Sequence, residues 1–191
     1  MGEEFTPPSV LFSRHRRTLL AGSVPLLFFC VFFCRADGRV TEGMALGAFL
    51  WTAAVFDFHC GMIYNWLTAS MAVCAIFFRC YAGVGAETLV LGFLAGGAPL
   101  LLVRVLSRGG LGGGDVKLAA AGGLWLGWQN SFLALALASW SGGLFALFLL
   151  LTGRRQRGDA VAFGPFLAFG IWTAFLCGDW LLGLYEAFCY G

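Results

Sequence analysis

Between Leu118 and Gly153 the chain carries no Asp, Glu, Lys or Arg. As one helix this 36-residue block would be about 54 Å long, against a bilayer hydrocarbon core of about 30 Å. It must therefore fold back on itself, and the polar quartet Trp128-Gln129-Asn130-Ser131 is the place where it can break. The same block is preceded by Gly112-Gly113-Gly114-Asp115-Val116-Lys117, so a single acid stands at the edge of a long apolar stretch. Ionisable groups at a membrane boundary are costly to keep and usually have a job.

The rest of the chain has the same character. Of its 191 residues 60% are hydrophobic and only 12% charged, half the charge of an ordinary soluble domain, and the mean hydropathy is +0.84. The fold class this implies is all-α: a polytopic transmembrane helical bundle with about six to seven spans. No polar stretch is long enough to build a separate soluble core, so the expected organisation is a cytoplasmic N-terminal tail over 1–17 and a single integral-membrane domain over 18–191. A net charge of +2 gives no reason to expect nucleic acid, and the natural partner of so apolar a surface is membrane lipid. The seven cysteines form no C-x-x-C pair and read as small apolar residues of the helices.

Apolar runs and their polar breaks place spans at about 18–34, 44–58, 66–78, 88–106, 115–128, 131–151 and 163–183. The first resembles a signal peptide, but no small-x-small cleavage site follows it, so it reads as a membrane anchor. Pro99 lies inside the fourth span, and Pro165 falls in the first turn of the seventh, where its missing N–H costs nothing. Glycines at i, i+4 spacing (Gly43/Gly47, Gly92/Gly96, Gly123/Gly127) permit close helix packing inside the bundle.

Orientation follows from the basic residues. With the N-terminus inside, seven spans put Arg14, Arg16, Arg17, Arg104, Arg108, Lys117, Arg154, Arg155 and Arg157 on the inner side, and Arg35, Arg39 and Arg79 on the outer. Nine against three satisfies the positive-inside rule. The same count brings Asp57, at the end of the second span, and Asp115, at the start of the fifth, to one cytoplasmic boundary. Two carboxylates a few ångströms apart share a proton: the ionised member takes a proton from water, and the protonated member donates to a carbonyl or leaving group. That chemistry hydrolyses a peptide bond without a metal, a cofactor or a nucleophilic Ser or Cys. Glycines 112–114 would let the backbone adopt positive φ and approach an extended substrate.

Other site chemistries fail on composition. The glycine-rich stretch lacks the G-x-x-x-x-G-K-[ST] of a phosphate loop, H-E-x-x-H is absent, and of the two histidines His15 lies in the tail. His59 reads as an interface residue. Lys117 is read as a snorkelling anchor or a member of the active-site loop, and Asn65 as a residue orienting the turn after Asp57. Taken alone, Asp57 is a helix-end acid and Asp115 a helix cap. A non-enzymatic membrane transporter or secretion-system scaffold is the alternative in which the pair serves as an ion path. Such a pair should lie near mid-membrane, whereas these two fall at one edge.

The motifs carry a resemblance. Gly112-Gly113-Gly114-Asp115 matches the GxGD motif of membrane aspartyl proteases, and the run GGGDVKLAAAGGLWLGW resembles that of the type IV prepilin peptidases. Asp57, followed by Ile63 and Asn65, is similar to that family's first aspartate and its Ile-Pro-Asn/Asp, with Tyr64 in the place of Pro. Phe163-Gly164-Pro165-Phe166 resembles its Pro-Phe-Gly-Pro-Phe segment, with Ala162 for the first Pro. The resemblance implies an aspartyl endopeptidase with Asp57 and Asp115 as catalytic residues and Gly112, Gly114, Lys117 and Asn65 in the active-site loop. It also implies prepilins or pilin-like secretion subunits (pseudopilins) as substrates, and a multi-pass location in the inner membrane. Many bacterial relatives carry a cysteine-rich insert associated with N-methylation. This chain has no such pairs and looks like a short form without it.

Overall fold

A computed structural model of the chain describes residues 40–153 and 162–190. The expected tail over 1–17, the first span at 18–34 and the basic cluster 154–157 lie outside the described residues. Six helices follow in order: α1 Val40–Cys60, α2 Asn65–Tyr81, α3 Ala86–Leu106, α4 Gly113–Leu126, α5 Trp128–Leu151 and α6 Gly164–Tyr190. Each of the six corresponds to one sequence-predicted span, with ends shifted by a few residues.

Four of the six, α1, α3, α5 and α6, are long and apolar enough to cross a membrane. The exceptions are α2, with 17 residues, and α4, with 14. At 1.5 Å per residue α4 is about 21 Å long, short of the hydrocarbon thickness. Its composition explains its place. Every residue from Leu118 to Leu126 is buried, and α4 packs against α2, α3, α5 and α6 as the central rod of the bundle. The small residues Ala119, Ala120, Ala121, Gly122 and Gly123 let those neighbours close in, while Trp125 fills the space towards α2. Its indole Nε1 donates to the Met71 carbonyl at 3.2 Å, and its ring lies 5.5 Å from that of Phe78.

The glycine spacing serves the packing predicted for it. On α3, a Cβ at Gly92 would meet the carbonyl oxygen of Gly123, and one at Gly96 that of Ala119, whose carbonyl carbon would be 3.0 Å away. The two backbones thus touch, with no room for a methyl group. Gly96→Ala is expected to force α3 off α4 and to destabilise the bundle by about 1–3 kcal/mol, the usual cost of overpacking. A lowered melting temperature in detergent would register it; an unchanged one would show that the helices slide apart freely.

The break in the charge-free block falls one residue before the polar quartet that was expected to make it. Gly127 has φ 78° and ψ 178°, and it ends α4 and starts α5 by itself. That region of backbone space belongs essentially to glycine. Trp128, Gln129, Asn130 and Ser131 are already helical, because their polar groups are compatible with a helix start and leave the reversal to Gly127.

Candidate active site

The ends of α1, α2, α4 and α6 that hold the singled-out residues meet at one end of the bundle. Asp57 lies in the last turn of α1 and Asp115 in the first turn of α4, and both are buried, each with 7% of its surface exposed. Separated by 58 positions in sequence, they lie close enough for their charges to act on each other. Each carboxylate is held by the start of a helix. The Gly164 amide, first in α6, donates to Asp57 Oδ2 at 2.8 Å. The Asp115 carboxylate lies over the Gly112 backbone, with the Gly112 amide facing it. Helix N-termini offer unpaired N–H groups and a partial positive charge, which suit an anion. Asp115 Oδ1 is buried and has no hydrogen-bond partner among the described residues. A pair of this kind can pass protons between a water and a polar substrate while the backbone amides fix both carboxylates in place.

The glycine loop acts differently from the expectation. Gly112 has φ −61°, and Gly113 and Gly114 are already helical; the positive φ angles nearby belong to Arg108 (52°) and Gly109 (93°). What the glycines provide is bareness. A Cβ on Gly112 would stand 2.8 Å from Asp115 Oδ2, one on Gly113 2.9 Å from Arg104 Nη1, and one on Gly114 2.8 Å from the Cβ of Ile63. Three neighbours press against three adjacent glycines, so the loop is shaped by what it must let in.

Asn65 and Lys117 meet as well. Lys117 Nζ donates to Asn65 Oδ1 at 2.7 Å, tying the first residue of α2 to α4. Beside this bond opens an apolar groove of about 470 Å³ between α2, α3 and α4, lined among others by Thr68, Ala72, Gly97 and Ala121. His59 is exposed, with Nδ1 3.0 Å from the Val55 carbonyl oxygen, as befits an interface residue.

Tyr64 caps α2 with φ −72° and ψ 138°, angles that proline also adopts. Its ring stands edge-on to Phe56, 5.3 Å between centroids, one residue before Asp57. Tyr64→Pro should therefore preserve the turn and lose the ring contact, which is worth about 0.5–1.5 kcal/mol. The expected result is retained activity with a lower melting temperature in detergent. Loss of activity at unchanged stability would mean that the ring, and not the backbone, positions Asp57.

Two contributors were absent from the sequence-based site: the Gly164 amide and Arg104. Gly164 had a signal, since Pro165 fixes a helix start there and leaves an unpaired amide next to it. Arg104 had none beyond its charge.

The profile of the type IV leader peptidase family matches residues 44–147, more than half of the chain and both aspartates. The chain belongs to this family. Among curated proteins, it is 35% identical over 128 residues to the prepilin leader peptidase/N-methyltransferase of Escherichia coli (strain K12), covering 64% of this chain and 56% of that one. The protein of the same name from Bacillus subtilis (strain 168) is 28% identical over 193 residues, 93% of this chain and 74% of the relative. That of Aeromonas salmonicida (strain A449) is 44% identical over 70 residues, 37% of this chain and 24% of the relative. The match thus spans about a quarter of the length of the Aeromonas protein. No solved structure matches the chain.

Proposed function

We propose that this member of the family is an aspartyl endopeptidase that cuts the leader from type IV prepilins or pilin-like secretion subunits. The observation that carries this reading is the convergence of two buried acids, Asp57 and Asp115, each under the amide of a different helix start. The pair shares one proton. The ionised carboxylate takes a proton from water, whose oxygen attacks the scissile carbonyl carbon. The protonated carboxyl gives its proton to that carbonyl oxygen, forming a gem-diol. The first carboxyl then passes the proton it took from water to the departing nitrogen as the C–N bond breaks, and the second takes a proton back from the gem-diol as it collapses to the new carboxyl group. Gly112 and Gly114 leave room for the carboxylate and for the Ile63 turn, and the Lys117–Asn65 bond fixes the side of the site that borders the groove. Among the described residues Arg104, Arg108 and Lys117 lie at this end and Arg79 at the other. This excess supports a cytoplasmic location for the site, in an inner membrane, with the N-terminus cytoplasmic and cleavage just before the apolar segment of the substrate.

The test is co-expression with a prepilin in membranes, followed by gel shift and N-terminal sequencing. A shortened product with one new N-terminus is the expected result. Failure to cut any of several prepilins would sink the proposal and favour a non-enzymatic membrane component.

A further inference from the structure

Arg104 is half-buried in the last turn of α3, and among the described residues it has no acidic partner. Its guanidinium is directed at backbone: Nη1 donates to the Leu111 carbonyl at 2.8 Å. The same group lies over Gly113, where a Cβ would be 2.9 Å from Nη1 and 3.2 Å from Cζ. The Leu111 carbonyl and the Gly112 amide are two ends of one peptide group. At the far end, that amide faces the Asp115 carboxylate, whose Oδ2 lies so close over Gly112 that a Cβ there would be 2.8 Å from it. Guanidinium, peptide and carboxylate therefore form a continuous chain in which a cation pulls on the carbonyl while the amide faces the anion. Bonds linked in this way strengthen one another, and those with a charged partner are the stronger kind.

We propose that Arg104 is a positioning residue for the reaction, acting on Asp115 through the Leu111–Gly112 peptide group. The need for such a device is visible in the loop. Residues 107–112 contain three glycines and two positive-φ positions, at Arg108 and Gly109, so the peptide that holds Asp115 has little stiffness of its own. The main-chain bonds at the start of the segment run from the Gly109 amide back to the Arg104 carbonyl of α3 at 2.9 Å and from the Gly110 amide to the Ser107 carbonyl at 3.2 Å. None of these fixes the plane of the Leu111–Gly112 peptide; the guanidinium does. It also explains why Gly113 is bare, since any side chain there would displace the guanidinium from the carbonyl.

This inference rests on the catalytic reading of Asp115, and the experiment separates the two. Arg104→Met keeps the apolar stem and removes every donor; Arg104→Lys restores one donor and the charge. Wild type and both variants are purified in detergent. Backbone hydrogen exchange over 107–113 is followed by mass spectrometry, and prepilin cleavage by steady-state kinetics. With Arg104→Met, exchange in this segment should rise about tenfold with α5 and α6 unchanged. The kcat should fall about tenfold to a hundredfold at nearly constant KM, the scale of a catalytic group misplaced by about an ångström. Arg104→Lys should recover part of both. Unchanged exchange in Arg104→Met, a loss confined to KM, or a Lys variant no better than Met would each overturn the proposal. If wild type cuts nothing, the peptidase reading falls, and the exchange measurement still decides whether Arg104 holds the peptide.

Discussion

Asparagine at either Asp57 or Asp115 is expected to abolish leader cleavage while leaving the protein in the membrane, folded and at normal abundance. Asparagine has the shape of the acid and can still accept the Gly164 or the Gly112 amide, so the backbone arrangement is kept. What it loses is the ability to exchange a proton, a contribution of about 10²–10⁴ in rate for each step it serves. Both halves of the proposed cycle use the pair, so a fall of at least about 10³ in kcat is expected from each single change. The double variant should be hardly worse than either single one, because groups that act as a unit lose their effect together. Stability should move the other way. A buried carboxylate is expensive to desolvate, and Asp115 Oδ1 has no hydrogen-bond partner among the described residues to offset that cost. The Asn variants should therefore melt in detergent at the same temperature as wild type or above it, the signature of stability given up for function. Residual cutting by either variant would eliminate the two-carboxylate mechanism. Loss of activity accompanied by loss of the folded protein would leave the acids with a structural role instead.

Much of this arrangement was legible in the sequence because it is written in hydropathy and in motifs. The apolar runs and their breaks predicted all six described helices, and the positive-inside count brought Asp57 and Asp115 to one end. Glycine spacing anticipated the contact of α3 with α4, where Gly92 and Gly96 lie against backbone. Hydropathy alone misjudged what ends a helix. In the charge-free block it pointed to the polar side chains at 129–131, whereas the turn depends on a backbone conformation that only Gly127 adopts easily. The purpose of glycines 112–114 was misread in the same way: bareness towards neighbouring side chains and positive φ leave the same trace in a sequence, and only contacts tell them apart. The Gly164 amide was announced by Pro165 as a helix start but its partner was not, because it meets Asp57 across the fold. The Arg104 guanidinium meets Leu111 only seven residues on, through an irregular loop that has no periodicity to announce it. For Gly164 the distance in sequence to Asp57 is 107 residues.

That long-range contact is the most sensitive point of the site to a single methyl group. Gly164→Ala introduces a Cβ that would stand 2.6 Å from Asp57 Oδ2, 2.8 Å from Cγ and 2.9 Å from the aspartate's own Cβ. The backbone of Gly164 is helical and free of positive φ, so alanine fits the local conformation and nothing but the collision opposes it. Neither side can yield cheaply. Gly164 is anchored in the first turn of α6, and Asp57 sits in the last turn of a buried helix face with Phe56 and Val55 packed beside it. The aspartate must rotate away from the amide and, with it, away from Asp115. A displacement of about 1 Å at a reacting group costs on the order of 10²-fold in rate. Gly164→Ala is thus expected to reduce kcat about a hundredfold with little change in expression. Gly143→Ala and Gly183→Ala serve as controls, since a Cβ at either meets nothing within 4 Å. Both lie in helix interiors, where replacing glycine by alanine ordinarily stabilises by about 0.5–1 kcal/mol, and both should cut normally. A Gly164→Ala protein as active as these controls would mean that the start of α6 does not hold Asp57 during catalysis, and the pair would then have to be positioned from α1 and α4 alone.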